Sequence, residues 1–179
     1  MYLIGYSTFL FLSLRSYYYG VADMTLDTHS ADEVATQFNL YLDSSVGGFE
    51  DAGRNYIDNF PDKDTMAVWI IDKGGNVVLS TSGFEIKEKV EMPDFVSAVS
   101  GEGTSRWTGR LPSGEKIMSS TCAYNYSNGN IGGAVRFMVS LDAIDAQLGR
   151  IAIIISAVCV LMFALVVVSG SVFIRSIVN

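Results

Sequence analysis

Arginine is the side chain best shaped to hold a carboxylate, because its planar guanidinium offers parallel N–H donors in a fork. Arg106, Arg110 and Arg136 stand in a stretch of alternating apolar and hydroxyl-bearing residues, with Thr108, Ser119 and Thr121 among them. Strand register decides whether they meet. With Asn128-Gly129 as a two-residue hairpin loop, Thr121 falls opposite Arg136. With Ser113-Gly114 as a second such loop, Thr121 also falls opposite Arg106. Alternation then gathers Arg106, Thr108, Arg110, Ser119, Thr121 and Arg136 on one face, with Met138. The opposite face takes Trp107, Leu111, Met118, Cys122, Tyr124, Val135, Phe137 and Val139. Three guanidiniums with hydroxyls between them predict a site for a small anionic ligand. The alternative is a solvent-facing sheet whose arginines pair with Glu102, Glu115 or Asp94.

Other chemistry finds little to work with. His29 is the single histidine, so a triad or a histidine metal centre lacks its second member. Gly101-Glu-Gly103 and Asp72-Lys-Gly-Gly-Asn76 lack the spacing of the common phosphate-cradling loops. Cys122 and Cys159 read as small buried hydrophobes. The acidic pairs Asp32-Glu33, Glu50-Asp51 and Asp62 with Asp64 fit either a solvated face or a divalent cation held against a membrane. No catalytic residue, metal ligand or cofactor is expected.

Composition narrows the class. The chain has 179 residues, with 19 acidic against 12 basic side chains and a net charge of −7. That sign excludes a basic nucleic-acid binder. The charged fraction is 17%, against roughly 25% in an average soluble protein. Half the residues are apolar, so the chain is not disordered.

The apolar residues are concentrated. Ile151 to Ile174 carries no charge and is bracketed by Arg150 and Arg175. A helix of roughly 20 apolar residues spans a bilayer core, so this run predicts a transmembrane helix. Met1 to Leu14 is also apolar, followed by Arg15 and the belt-like Tyr17, Tyr18 and Tyr19. It is expected to be a first transmembrane helix whose start is missing or misassigned, with a signal peptide or an interfacial segment as alternatives. All acidic residues fall between Gly20 and Gly149, where nine basic residues leave a net charge of −10. A loop this long does not set orientation by its charge.

The intervening domain reads as helices followed by strands. Val21 to Leu42 holds neither Pro nor Gly and predicts one long helix. Gly47-Gly48 breaks it, and Phe49 to Asn59 predicts a second helix, stopped at Pro61. Met66–Ile71 and Val77–Thr81 predict a hairpin around the Asp72–Asn76 turn. Pro93 to Ser100 predicts a short helix, with proline near its first turn and Gly101 past its end. Strands Thr104–Leu111, Glu115–Tyr126 and Asn130–Leu141 follow, and Asp142 to Arg150 leads helically into the span. The fold class expected is α+β: an antiparallel five-stranded sheet packed on long N-terminal helices.

This order, between two apolar segments, resembles a single Cache domain, also called the PhoQ-DcuS-CitA sensor fold, which is PAS-like. The hairpin Val68-Trp-Ile-Ile-Asp-Lys-Gly-Gly-Asn-Val-Val-Leu-Ser80 is similar to the family's central hairpin, and Gly132-Gly-Ala-Val-Arg-Phe-Met-Val-Ser140 to its last strand. Phe173–Asn179 resembles the entry of a HAMP linker.

The resemblance implies a first span at 1–19, an extracytoplasmic sensor domain at 20–149, a second span at 150–175 and a linker from 176. It implies a bacterial plasma-membrane receptor, expected as a homodimer in the lipid bilayer. The output expected beyond Asn179 is a histidine kinase that reaches a cytoplasmic response regulator. Alternatives are a chemotaxis or cyclic-dinucleotide output, or an anchored interaction protein without output. The family holds its ligand on the sheet face away from the long helix, here under Phe84 to Ser100. The motifs of the dicarboxylate and citrate sensors have no clear match, so ligand identity does not carry over.

Overall fold

The computed structural model describes residues 2–28, 31–44, 48–81, 89–125 and 131–178. The chain forms two compact units, Tyr19–Asp142 and Met1–Tyr18 with Ala143–Asn179.

Helix α1 (Tyr2–Asp27) contributes to both units, and α2 (Ala31–Ser44) and α3 (Phe49–Asn59) belong to the first. The run expected as one helix from Val21 to Leu42 is therefore two. Near the break, Thr25 donates its hydroxyl to the Val21 carbonyl at 2.8 Å, and Thr28 to Met24 and Thr25 at 3.1 and 2.9 Å. Such back-bonding competes with the backbone ladder and favours a helix end. Residues 29–30, His29 included, lie outside the described residues. Helix α3 matches its expected span and buries Ala52 and Tyr56.

The sheet consists of β1 (Ala67–Asp72), β2 (Val77–Ser80), β3 (Thr104–Arg110), β4 (Lys116–Asn125) and β5 (Ile131–Ser140). Its order is β2-β1-β5-β4-β3, and every neighbouring pair is antiparallel. The expected architecture is present: α+β, with a five-stranded antiparallel sheet on N-terminal helices. The last strand lies at the centre. Gly132 to Met138 is buried without interruption, as a strand covered on both faces requires.

Two apolar layers result. On the helix side, Val34, Phe38, Ala52 and Tyr56 meet Val68, Ile70, Tyr124, Val135 and Phe137. Tyr124 stacks on Phe49 at 5.4 Å and contacts Phe38 at 4.7 Å between ring centroids. On the other side, Trp69, Ile71, Ala134 and Met138 meet Val90 and Phe95 of the cover.

The cover is α4 (Pro93–Ser97), which runs into a π turn at Ala98–Glu102. The regular helix expected to Ser100 is shorter, because the chain turns at Gly101 (φ 115°) and Gly103 (φ 75°) to enter β3. Of the cover expected at Phe84 to Ser100, residues 84–88 lie outside the described residues.

Helix α5 (Leu141–Val178) begins at the residue after β5. Within it, Leu141–Arg175 is the one helix among the described residues long and apolar enough to cross a membrane. In the helical unit, Arg15 pairs with Asp145 at 3.3 Å.

Gly133 is fixed by crowding. A Cβ there would collide with the Ile71 carbonyl and the Tyr124 ring. Gly133→Ala is expected to cost roughly 1–3 kcal/mol, read as a lowered urea midpoint.

The β1–β2 turn is closed by Asp72. Its Oδ1 accepts the N–H groups of Gly74 and Asn76 at 2.8 Å, and its Oδ2 the Asn76 amide at 2.8 Å. Partial burial pushes this carboxyl up, but the hydrogen bonds outweigh it, and its pKa lies below the ordinary value. A depressed folded pKa means that ionised Asp72 stabilises the fold above the ordinary value. That contribution is lost as pH falls from about 4 through the lower folded pKa. Urea midpoints measured down this acid range should fall in the wild type, with this component missing in Asp72→Asn.

Candidate functional site

The centre of the covered face is polar. Arg136, Ser119, Thr121 and Asp94 are each completely or almost completely shielded from solvent. Register brings the sheet's three together. Thr121 lies opposite Arg136 across the β4–β5 ladder, as expected, although the Asn128-Gly129 loop from which that pairing is counted lies outside the described residues, and Ser119 lies two residues along on the same face.

Asp94 arrives from above. The turn tip holds the cover's leading segment, because Val90 N–H donates to the Gly75 carbonyl at 2.8 Å. Gly75 has φ 84°, and a Cβ there would press on the Val90 backbone. Pro93 then fixes φ at the first position of α4, and Asp94 follows on its inward side.

Arg136 Nε donates to Asp94 Oδ2 at 2.8 Å, and Nη2 to Oδ1 at 3.0 Å. The pair is bidentate. The hydroxyls of Ser119 and Thr121 donate to Oδ2 at 2.7 and 2.6 Å. Nη2 also reaches Ser119 Oγ at 3.1 Å, and Nη1 reaches Met92 Sδ at 3.1 Å. The rings of Trp69 and Trp107 flank the guanidinium, each with its centroid 5.6 Å away. Burial lowers the Arg136 pKa from the ordinary arginine value, and the charge and hydrogen bonds of Asp94 pull it back.

The expected six-residue cluster is only half assembled. Ser119, Thr121 and Arg136 converge, whereas Arg106, Thr108 and Arg110 do not join them. The correction lies in the β3–β4 turn. Arg110 pairs with Lys116, and Leu111 N–H donates to the Glu115 carbonyl at 2.9 Å. The loop therefore holds three residues, Pro112-Ser113-Gly114, instead of two. Gly114 takes the left-handed position (φ 88°) that such three-residue turns place before the returning strand. One added residue moves every β3 side chain to the other face.

Trp107 and Leu111 accordingly belong to the covered layer, not the helix-side one. Arg106 lies opposite Ser120 and forms ion pairs with Asp23, at 2.9 Å, and with Asp27, both on α1. Arg110 donates to the Gly114 carbonyl at 2.7 Å and stands 3.9 Å from Asp142, and Thr108 is exposed.

Trp69 and Met92 were not among the expected site residues. Trp69 had a partial signal: alternation along β1 puts it on one face with Ile71, but its pairing with Arg136 joins strands distant in sequence. Met92 had none, because its place depends on the non-local tie between Val90 and Gly75.

A cleft of about 230 Å³ opens at one end of this face. Trp69, Leu111 and Met138 line its apolar side, and Lys63, Thr81 and Glu115 its polar side. Glu115 accepts the Ser140 hydroxyl there at 2.6 Å.

No protein-family model matches the sequence, and no curated protein matches it significantly. Among solved structures, the chain is similar to the ligand-binding domain of the Pseudomonas aeruginosa amino-acid chemoreceptor PctC, solved in complex with GABA. The identity is 14% and the TM-score 0.49, over 82% of this chain and 63% of that one, so the chain spans less than two thirds of that domain. It is also similar to the Escherichia coli DcuS sensor domain, at 14% identity over 66% of this chain and 97% of that one, with a TM-score of 0.40. A sensory box sensor histidine kinase from Vibrio cholerae matches 49% of this chain with 88% of its own, at 12% identity and a TM-score of 0.35. These three structures are a chemoreceptor ligand-binding domain, a sensor domain and a sensory box sensor histidine kinase.

Breaking the buried pair on one side strands a charge. Arg136→Met or Asp94→Leu alone is expected to cost about 3–5 kcal/mol, while the double variant recovers most of that loss. A double-mutant cycle by urea denaturation reads the difference. Arg106→Ala, by contrast, removes two solvent-screened ion pairs and should cost at most about 1 kcal/mol.

Proposed function

We propose that this chain is the signal-input part of a bacterial membrane receptor. Residues 20–149 form an extracytoplasmic sensor, 150–175 is a membrane span, 1–19 is a first membrane segment although α1 is less apolar than the second span, and 176–179 begin the linker to an output domain. The covered face of the sheet is the sensing face, and α4 is the element that responds. One observation carries this reading. The strand that anchors α4 through Arg136 is β5, and β5 passes at Ser140 directly into α5, the helix apolar enough to cross a membrane.

Further polar ties bring the sheet to the helices at either end of the domain. Lys116 N–H donates to Asp142 Oδ2 at 2.8 Å, in the first turn of α5. On α1, Arg106 grips Asp23 and Asp27, and Lys116 reaches the Tyr19 hydroxyl at 3.3 Å. A change at α4 therefore has polar routes to both helices. The stimulus shifts an equilibrium between α4-docked and α4-released states by its differential affinity for the two. The output is a histidine kinase acting on a response regulator, within a homodimer in the lipid bilayer.

The test is a chimera of residues 1–179 with the cytoplasmic part of a sensor kinase, read by a transcriptional reporter. Substitutions at Asp94 that undock α4 should move basal output by about tenfold, the shift that about 1.4 kcal/mol produces, while Arg54→Ala leaves it unchanged. Output insensitive to the Asp94 substitutions, in a chimera shown to reside in the membrane, overturns the reading in favour of an anchored interaction protein.

A further inference from the structure

The nest around the Asp94 carboxylate is supplied largely by the sheet. Arg136 gives a fork, and Ser119 and Thr121 give two hydroxyls, so Oδ2 accepts three hydrogen bonds and Oδ1 accepts one. All four donor groups stand on two paired strands, at positions fixed by the ladder. The carboxylate comes from a different segment, a five-residue helix held by the Val90–Gly75 tie and turned by Gly101 and Gly103. Cradle and occupant are therefore separable pieces of the fold.

The cradle also has unused capacity. Arg136 Nη1 spends its donor on the sulfur of Met92, and a thioether is a weak acceptor. Met92, two residues before Asp94, is only half-buried. The neighbouring cleft of about 230 Å³ shares Trp69 with the wall of the cradle. Stability alone is a poor reason to bury such a pair, because well-packed apolar residues serve as well or better.

We propose that Arg136, Ser119 and Thr121 form a binding site for a small carboxylate, which Asp94 occupies in cis. An incoming carboxylate enters past Met92, takes the fork and both hydroxyls, and releases Asp94 and α4 from the sheet. One carboxylate replaces another, so Arg136 stays paired throughout, while the Asp94 side chain passes into water. Apparent affinity in the wild type is reduced by the fraction of time for which Asp94 holds the cradle. This inference rests on the sensing-face reading above and names its ligand class.

The chain's two tryptophans are Trp69 and Trp107, and both flank Arg136, so intrinsic fluorescence reports on the cradle. The full chain in detergent micelles is titrated with sodium acetate and with sodium succinate, against sodium chloride at matched ionic strength. The wild type is expected to show a saturable change in emission with at least one carboxylate and none with chloride. In Asp94→Ala the same change should saturate at a concentration lower by on the order of tenfold, and added carboxylate should raise the Tm of the destabilised variant. Should Asp94→Ala fail to fold, Asp94→Asn keeps the shape without the charge and is expected to tighten binding in the same direction. Arg136→Met abolishes the response.

Absence of a saturable carboxylate response in the wild type and in the Asp94 variant overturns the proposal. So does equal affinity in the two proteins, since Asp94 then does not compete. If binding fails while the chimera still responds to Asp94 substitutions, the carboxylate assignment falls and the input reading stands.

Discussion

Burying a guanidinium and a carboxylate together constrains everything around them. Each ion loses hydration worth several kcal/mol, and only close, well-aligned donors return it. Arg136 and Asp94 meet that demand with two direct hydrogen bonds and two hydroxyls on the same carboxylate. The geometry tolerates no slip. A one-residue shift of β4 against β5 would send Ser119 and Thr121 into the aromatic layer formed by Phe38, Phe49 and Tyr124. The pair therefore selects the sheet's register, as well as joining cover to sheet.

The same constraint explains the division of labour between the two faces. The helix side is apolar and aromatic, and its energy comes from area removed from water. Such a layer is non-directional and holds the sheet against α2 and α3 without needing a single arrangement. The covered side is smaller, is sealed by short elements, and has a charge at its centre. Two positive-φ glycines flank the end of the cover, where it turns into β3. A face built this way has few states between docked and undocked, because a half-withdrawn carboxylate leaves Arg136 buried and unpaired. An input device needs such a two-state element, and the apolar face does not supply one.

What was legible in the sequence followed from local rules. The extent of α3, the hairpin at Asp72–Asn76, the order of elements and the pairing of Thr121 with Arg136 came from periodicity and turn chemistry. The errors came from positions where one residue decides. Pro112-Ser113-Gly114 reads equally as a two-residue loop preceded by proline or as a three-residue turn closed by Gly114. Only the second aligns Leu111 with Glu115. That choice moved Arg106, Thr108 and Arg110 off the face and brought Trp107 onto it. The division between α1 and α2 was hidden for a different reason. The stretch contains neither Pro nor Gly, and the interruption comes near threonines that bond back to their own turns.

The partner of Arg136 shows where sequence reasoning stops. Asp94, Glu102 and Glu115 are equally acidic on paper, and alternation cannot rank them. Glu115 is drawn instead to Ser140, at the end of the sheet. Asp94 is selected by two contacts distant in sequence: Val90 on the Gly75 turn, and Phe95 in the covered apolar layer. Each is modest, but together they leave its short side chain one direction, toward the donors on β4 and β5. A glutamate at position 94 would reach one methylene further into a site already flanked by two indole rings. The fit thus favours the shorter acid, and it makes the position of α4 depend on that one carboxylate.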